Sequence, residues 1–186
     1  MVFHKYQKIR NMILMKTNII LIGMMGVGKT TLANQLSQAR KMQFVDMDSC
    51  IEKNEGRTIS LIFQENGETY FRDLEKKYLY DFKGRACVIS TGGGVVIQAD
   101  NRRRLKELGT VIYLKASPDT LFKRLESESH HRPMLRLDSL KDRLVDLLDQ
   151  RESLYQETAD YILEVDDLSK KETFLCLSKL LDEIGL

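Results

Sequence analysis

The sequence predicts an α/β fold, a single domain with a mostly parallel sheet covered by helices on both faces. Three observations lead there. From Thr17 onward, short β-branched runs alternate with longer segments of helical periodicity. Such alternation implies right-handed crossovers between parallel strands. The 186 residues, 42% hydrophobic and 30% charged, suit one compact domain with one core, and neither repeat nor linker divides them.

Taken in order, the strands are expected at 19–22, 43–45, 87–90, 111–114 and 161–165. Helices are expected at 30–40, 67–82, 98–108, 118–128, 140–155 and 170–184, with a shorter one at 58–64. In such sheets ligands bind beyond the carboxyl ends of the strands, so informative residues should follow strands. Most of them do.

Composition narrows the function. The formal net charge of +2 belongs to a tail: residues 1–16 hold Lys5, Lys8, Arg10 and Lys16 and no acid. Beyond them the 29 basic side chains fall to 25 against 27 acidic, so the body is mildly acidic. A polyanion needs a concentrated basic stripe, and the one dense run, Arg102-Arg103-Arg104, lies in a helical pattern and reads as a solvated face. No nucleic-acid partner is expected. The longest uncharged apolar run, Ile19 to Gly28, is about half of a ~20-residue membrane span, so no membrane association is expected either. Cys50, Cys87 and Cys176 are odd in number and far apart, which fits reduced thiols in the cytoplasm better than disulfides. His4, His130 and His131 make no zinc-site spacing with them. The basic leader 1–16 lacks a signal-peptide core. It reads as a disordered extension or an early start, with an amphipathic tail for membranes or nucleic acid as the alternative.

The chemistry starts at Gly23-Met24-Met25-Gly26-Val27-Gly28-Lys29-Thr30, which fits G-x-x-x-x-G-K-[ST] directly after a strand and opening a helix. Glycines let the backbone wrap a phosphate, and successive N–H groups with the helix N-terminus attract the anion. Lys29 would reach the β- and γ-phosphates, and the Thr30 hydroxyl would bind Mg²⁺. This predicts a nucleoside-triphosphate site. No N-K-x-D string marks a GTPase, and no apolar strand ends in Asp-Glu as in motor-type ATPases.

Phe44-Val45-Asp46-Met47-Asp48 would place two carboxylates on one side of an extended chain. Asp46 could hold Mg²⁺ through its waters while Asp48 accepts the proton of an attacking hydroxyl; alternatively Asp48 caps a helix. In Phe71-Arg72-Asp73-Leu74-Glu75, Arg72 and Glu75 can meet at i, i+3. Ser90-Thr91-Gly92-Gly93-Gly94 ends a strand with backbone free to approach a ligand. The polar, charged stretch around His130-His131-Arg132-Pro133 reads as a mobile lid at about 127–138. Arg151 and Tyr155 share a helix face.

Together these motifs, in this order and at roughly this spacing, resemble the shikimate kinases, over essentially residue 17 to the C-terminus. The resemblance implies a single-domain P-loop kinase fold with a five-stranded parallel sheet, a helical substrate-binding segment at about 47–75 and the mobile lid. It implies transfer of the ATP γ-phosphoryl group to the 3-hydroxyl of shikimate with Mg²⁺, by a cytoplasmic monomer. Gly26, Val27, Gly28, Lys29, Thr30 and Thr31 would then hold the nucleotide phosphates, with Thr30 and, through water, Asp46 on the metal. Lys29, Asp48 and Arg132 would be catalytic. Arg72 and Arg151 would clamp the substrate carboxylate, which suits a forked guanidinium. Glu75 would brace that site, Gly93 and Gly94 would contact the substrate, and Arg124 would pack on adenine. Ser153 stands where many relatives have proline. The competing readings are a kinase for another small acceptor, gluconate or a nucleotide, and a non-catalytic nucleotide-binding module.

Overall fold

A computed structural model describes residues 18–129 and 140–186. The leader 1–16, Arg132 and all of the expected lid beyond residue 129 lie outside the described residues. The chain runs β1 (Asn18–Ile22), α1 (Lys29–Arg40), β2 (Gln43–Asp46), α2 (Met47–Glu55), α3 (Ile59–Asp81), β3 (Cys87–Ser90) and α4 (Ala99–Leu108). It continues through β4 (Gly109–Lys115), α5 (Pro118–Ser129), α6 (Leu140–Thr158), β5 (Tyr161–Glu164) and α7 (Lys170–Glu183).

The five strands form one parallel sheet in the order β2-β3-β1-β4-β5. β1 sits at the centre because its Ile-Ile-Leu-Ile run has no polar face to leave in water; Ile19 to Ile22 are all fully buried. Burying each such side chain stabilises the fold by about 1.5–3 kcal/mol relative to leaving it exposed. β1 leads through α1 to β2 on one side, and β3 leads through α4 to β4 on the other. Connections therefore leave neighbouring strands in opposite directions, which opens a crevice at their carboxyl ends.

Two local departures from the sequence pattern matter for function. The expected helices 58–64 and 67–82 are one element, α3, broken at Gly67, whose φ of 80° and ψ of 176° only glycine adopts readily. The second departure is α2: the helix that the capping alternative for Asp48 allowed is present, but it starts two residues earlier. Extended chain stops at Asp46, so Asp48 lies in the first turn of a helix and not on a strand beside Asp46. The cap is Asp46, whose Oδ1 accepts from the Ser49 amide at 2.9 Å.

The arginine run on α4 is also not a uniform solvated face. Arg102 donates to the carbonyls of Val96 and Ile97, and Arg104 donates to Leu79 O on α3, so only Arg103 of the three stands exposed. Among the described residues no helix is long and apolar enough to cross a membrane.

Candidate active site

The crevice is built from two halves that meet at the loop following β3. The first half is the loop 23–30. Lys29 opens α1 and is buried, with Nζ donating to the carbonyls of Gly23 and Met24 at 2.8 Å each. Burial pulls its ammonium down to about 8 against the opposing pull of Asp48 and Asp46. Thr30 Oγ1 donates to Asp46 Oδ2 at 2.9 Å and lies 3.1 Å from Ser90 Oγ. The start of α1 and the ends of β2 and β3 thus bring three oxygen-bearing side chains to one point. Hard oxygens of this kind suit Mg²⁺, which binds through few protein ligands and completes its shell with water and phosphate. Sequence reasoning had not singled out Ser90; its place at the end of the strand that opens the glycine run was the available signal.

Beside this loop a cavity is lined by Gly26, Val27, Gly28, Thr31, Gln35, Arg124 and others. The Arg124 guanidinium forms part of that wall, held by the carbonyls of Val27 at 2.9 Å, Val165 at 2.8 Å and Leu168 at 3.4 Å.

The second half is assembled from α2, α3, the loop 91–94 and α6. Glu75 is fully buried on α3 and accepts from Arg72 Nη1 at 2.5 Å. Burial outweighs that guanidinium and pushes the Glu75 carboxyl up to about 7. The other side of Arg72 is taken by Glu68, whose Oε1 accepts from Nη2 at 2.8 Å and Nε at 3.1 Å. Glu68 went unremarked in the sequence although its i, i+4 spacing from Arg72 was there to read. Three of the five guanidinium N–H groups are thereby engaged, which leaves two donors.

Two carboxylate oxygens in this half are buried with no hydrogen-bond partner, Asp48 Oδ1 and Glu75 Oε1. Both converge on Gly92: a Cβ placed there would lie 2.7 Å from Asp48 Oδ1 and 3.1 Å from Glu75 Oε1. A Cβ on Gly94 would lie 2.3 Å from both terminal nitrogens of Arg72. These glycines are needed for close approach and not for their dihedral angles. The Asp48 carboxyl is pushed up by burial and then by Asp46, with Lys29 opposing. Orphaned acceptors of this sort ask for donors, and hydroxyl groups of a ligand are suitable ones.

Arg151, on α6, joins the same cleft: its charge acts on Glu75 and on the Tyr155 hydroxyl. Tyr155 is fully buried and donates to Gly93 O. The structure therefore brings together Lys29, Thr30 and Asp46 in one half and Asp48, Arg72, Glu75, Gly93, Gly94 and Arg151 in the other. Gly93 adjoins both, since a Cβ there would lie 3.3 Å from the Met25 amide.

Comparison with known proteins agrees with this geometry. The model of the shikimate kinase family matches residues 25–182. A shikimate kinase of Legionella pneumophila is 43% identical over 155 residues, covering 83% of this chain and 88% of that protein. The shikimate kinase of Acinetobacter baumannii, solved in complex with shikimate, superposes with a TM-score of 0.80 at 36% identity, covering 90% of this chain and 93% of that one. The shikimate kinase of Bacteroides thetaiotaomicron gives 0.82 at 33% identity, covering 91% and 98%.

Proposed function

This chain belongs to the shikimate kinase family, and we propose that it transfers the γ-phosphoryl group of ATP to the 3-hydroxyl of shikimate, giving shikimate 3-phosphate and ADP. One observation carries the reading beyond family membership. A lysine-bearing phosphate loop and a cleft holding two arginines and two partnerless carboxylate oxygens flank the same glycine loop. That pairing suits an anionic, hydroxylated acceptor beside a triphosphate.

In this reading the chain's own residues act as follows. Lys29 leaves the Gly23 and Met24 carbonyls for the β- and γ-phosphates, restoring the charge that burial disfavours. The amides of Gly26 to Thr31 receive the phosphates, and the Arg124 face receives adenine. Thr30, and Asp46 through water, hold Mg²⁺, which when bound neutralises and aligns the phosphoryl oxygens. Arg72 and Arg151 grip the substrate carboxylate from two directions, and Glu75 keeps Arg72 oriented. Asp48 accepts the hydrogen bond of the attacking hydroxyl and takes its proton as the new P–O bond forms and the bond to ADP breaks. The Gly93 and Gly94 amides hold the substrate against the transferring group. Arg132, from the expected lid, supplies the remaining positive charge. Most of the rate comes from placing the two reactants and offsetting charge, not from covalent chemistry by the protein.

The same reading makes residues 1–16 an appendage to a catalytic domain at 17–186, with a substrate-binding segment at about 47–75 and the lid at about 127–138. It assigns the protein to the cytoplasm as a monomer acting on small molecules. The test is ADP release from MgATP with shikimate, gluconate, quinate and nucleoside monophosphates offered separately. Turnover with shikimate alone is expected. Turnover with another acceptor instead would mean that the Arg72–Arg151 clamp is misassigned, and ATP binding without any turnover would favour a non-catalytic module.

A further inference from the structure

Tyr155 is placed at a junction that the reaction scheme above does not use. Its ring stacks on Tyr113 of β4 with centroids 4.8 Å apart and planes 17° apart. Its hydroxyl donates to Gly93 O and lies 3.4 Å from the Met24 sulfur of the phosphate loop. One phenol therefore links the phosphate loop and the substrate loop, on the helix that also carries Arg151 one turn earlier.

The bond to Gly93 has a consequence set by peptide geometry. The carbonyl of residue 93 and the amide N–H of residue 94 belong to one rigid plane and point in opposite directions. Anchoring Gly93 O on Tyr155 therefore aims the Gly94 N–H the opposite way, away from the phenol. A peptide between two glycines is otherwise free to turn over at little cost. The rotation of α6 is set by a second tie one turn away. Glu152 accepts from the Tyr113 hydroxyl at 2.5 Å and from Gln156 at 2.7 Å, which fastens the helix to β4 beside Arg151.

We propose that Tyr155 is a positioning residue for the acceptor, its hydroxyl setting the Gly93–Gly94 peptide in one orientation toward the substrate. The inference rests on the function proposed above. It predicts an effect confined to the acceptor side. The phosphate loop meets the same hydroxyl only through a thioether, a weak acceptor.

Tyr155→Phe removes the hydroxyl and keeps the stacked ring. The expected result is a KM for shikimate raised about tenfold, with a matching loss in calorimetric affinity for shikimate in the absence of ATP. KM for ATP should stay within about twofold. A purely structural role would lower the amount of active protein, and with it kcat, without moving the shikimate KM. A second variant, 4-fluorophenylalanine at position 155, conserves the packing volume and removes the donor proton. It should reproduce the same split. Unchanged shikimate KM and affinity in these variants would overturn the proposal, as would a rise in the ATP KM equal to that for shikimate. Wild-type protein that neither binds nor phosphorylates shikimate would sink the parent function and this inference together. Wild-type turnover with unmoved constants in the variants would sink the inference alone.

Discussion

The two halves of the crevice solve the same problem, holding charge out of water, in opposite ways. In the phosphate loop the charged and hydroxyl groups satisfy one another before any ligand arrives: Lys29 bonds two carbonyls and Thr30 bonds Asp46. In the acceptor cleft two buried carboxylate oxygens are left without partners. The first half is centred on one contiguous loop, Gly23 to Thr30, whose groups find partners in its own backbone and at the neighbouring strand ends. The second is drawn from α2, α3, α6 and a loop, and its unsatisfied acceptors represent free energy that a hydroxylated ligand can recover. Self-satisfaction makes a general nucleotide site, whereas stored polarity makes a selective acceptor site.

Four changes would break or sharpen this contrast, and the largest effect is expected in the first half. Lys29→Met should lower kcat by on the order of a thousandfold while shikimate affinity, measured by calorimetry, stays near wild type. A folded variant with normal turnover would remove the lysine from the chemistry. Arg72→Ala should act on the other half twice. It should weaken shikimate binding by about 1.5–3 kcal/mol. It should also destabilise the fold by about 3 kcal/mol at pH 8, because Glu75 is left buried and alone. Adding Glu75→Gln to that variant should restore most of the stability in chemical denaturation but none of the binding.

Gly94→Ala is expected to be milder. Its Cβ would press on an Arg72 guanidinium that Glu68 and Glu75 keep from moving aside, so the KM for shikimate should rise about tenfold. KM for ATP should hold, and equal changes in both constants would erase the division between halves. The smallest effect concerns pH. Glu75 keeps its proton to about pH 7 in the folded chain and loses it near the ordinary carboxyl value when unfolded. The folded state then binds more protons between these values, so this group's contribution to stability falls as pH rises from about 4.5 to 7. Relative to Glu75→Gln, the wild type should lose melting temperature between pH 5 and pH 8. A constant difference would place Glu75 in ordinary carboxylate surroundings.

The contrast also explains what could be read from the sequence. The sheet was visible because its central strands are short, uniformly apolar and separated by helical periodicity. The phosphate loop was visible because its function lies in eight consecutive residues, Gly23 to Thr30. The acceptor cleft has no such string. Asp48, Arg72, Glu75 and Arg151 lie up to a hundred residues apart, and only the family resemblance grouped them. Periodicity did not place α2, which only the capping alternative at Asp48 suggested, because its nine residues offer only Met47 and Ile51 to the core, too few to establish a period. The bond from Tyr155 to Gly93 escaped for a different reason: a tyrosine on an apolar helix face reads as packing, and its hydroxyl's partner is backbone 62 residues away.

Asp46 carries a constraint of another kind. One oxygen of its carboxylate caps α2, the helix that bears Asp48, and the other receives the Thr30 hydroxyl. Two inheritable traits therefore sit on one codon, and most single changes there forfeit both at once. Alanine would strip the cap and the charge together, while glutamate is too long to cap. Asparagine or serine would part them, because each caps about as well as aspartate yet carries no charge. Drift at this position consequently has almost no neutral path. A gradual shift of metal or acceptor preference would have to begin elsewhere in the crevice.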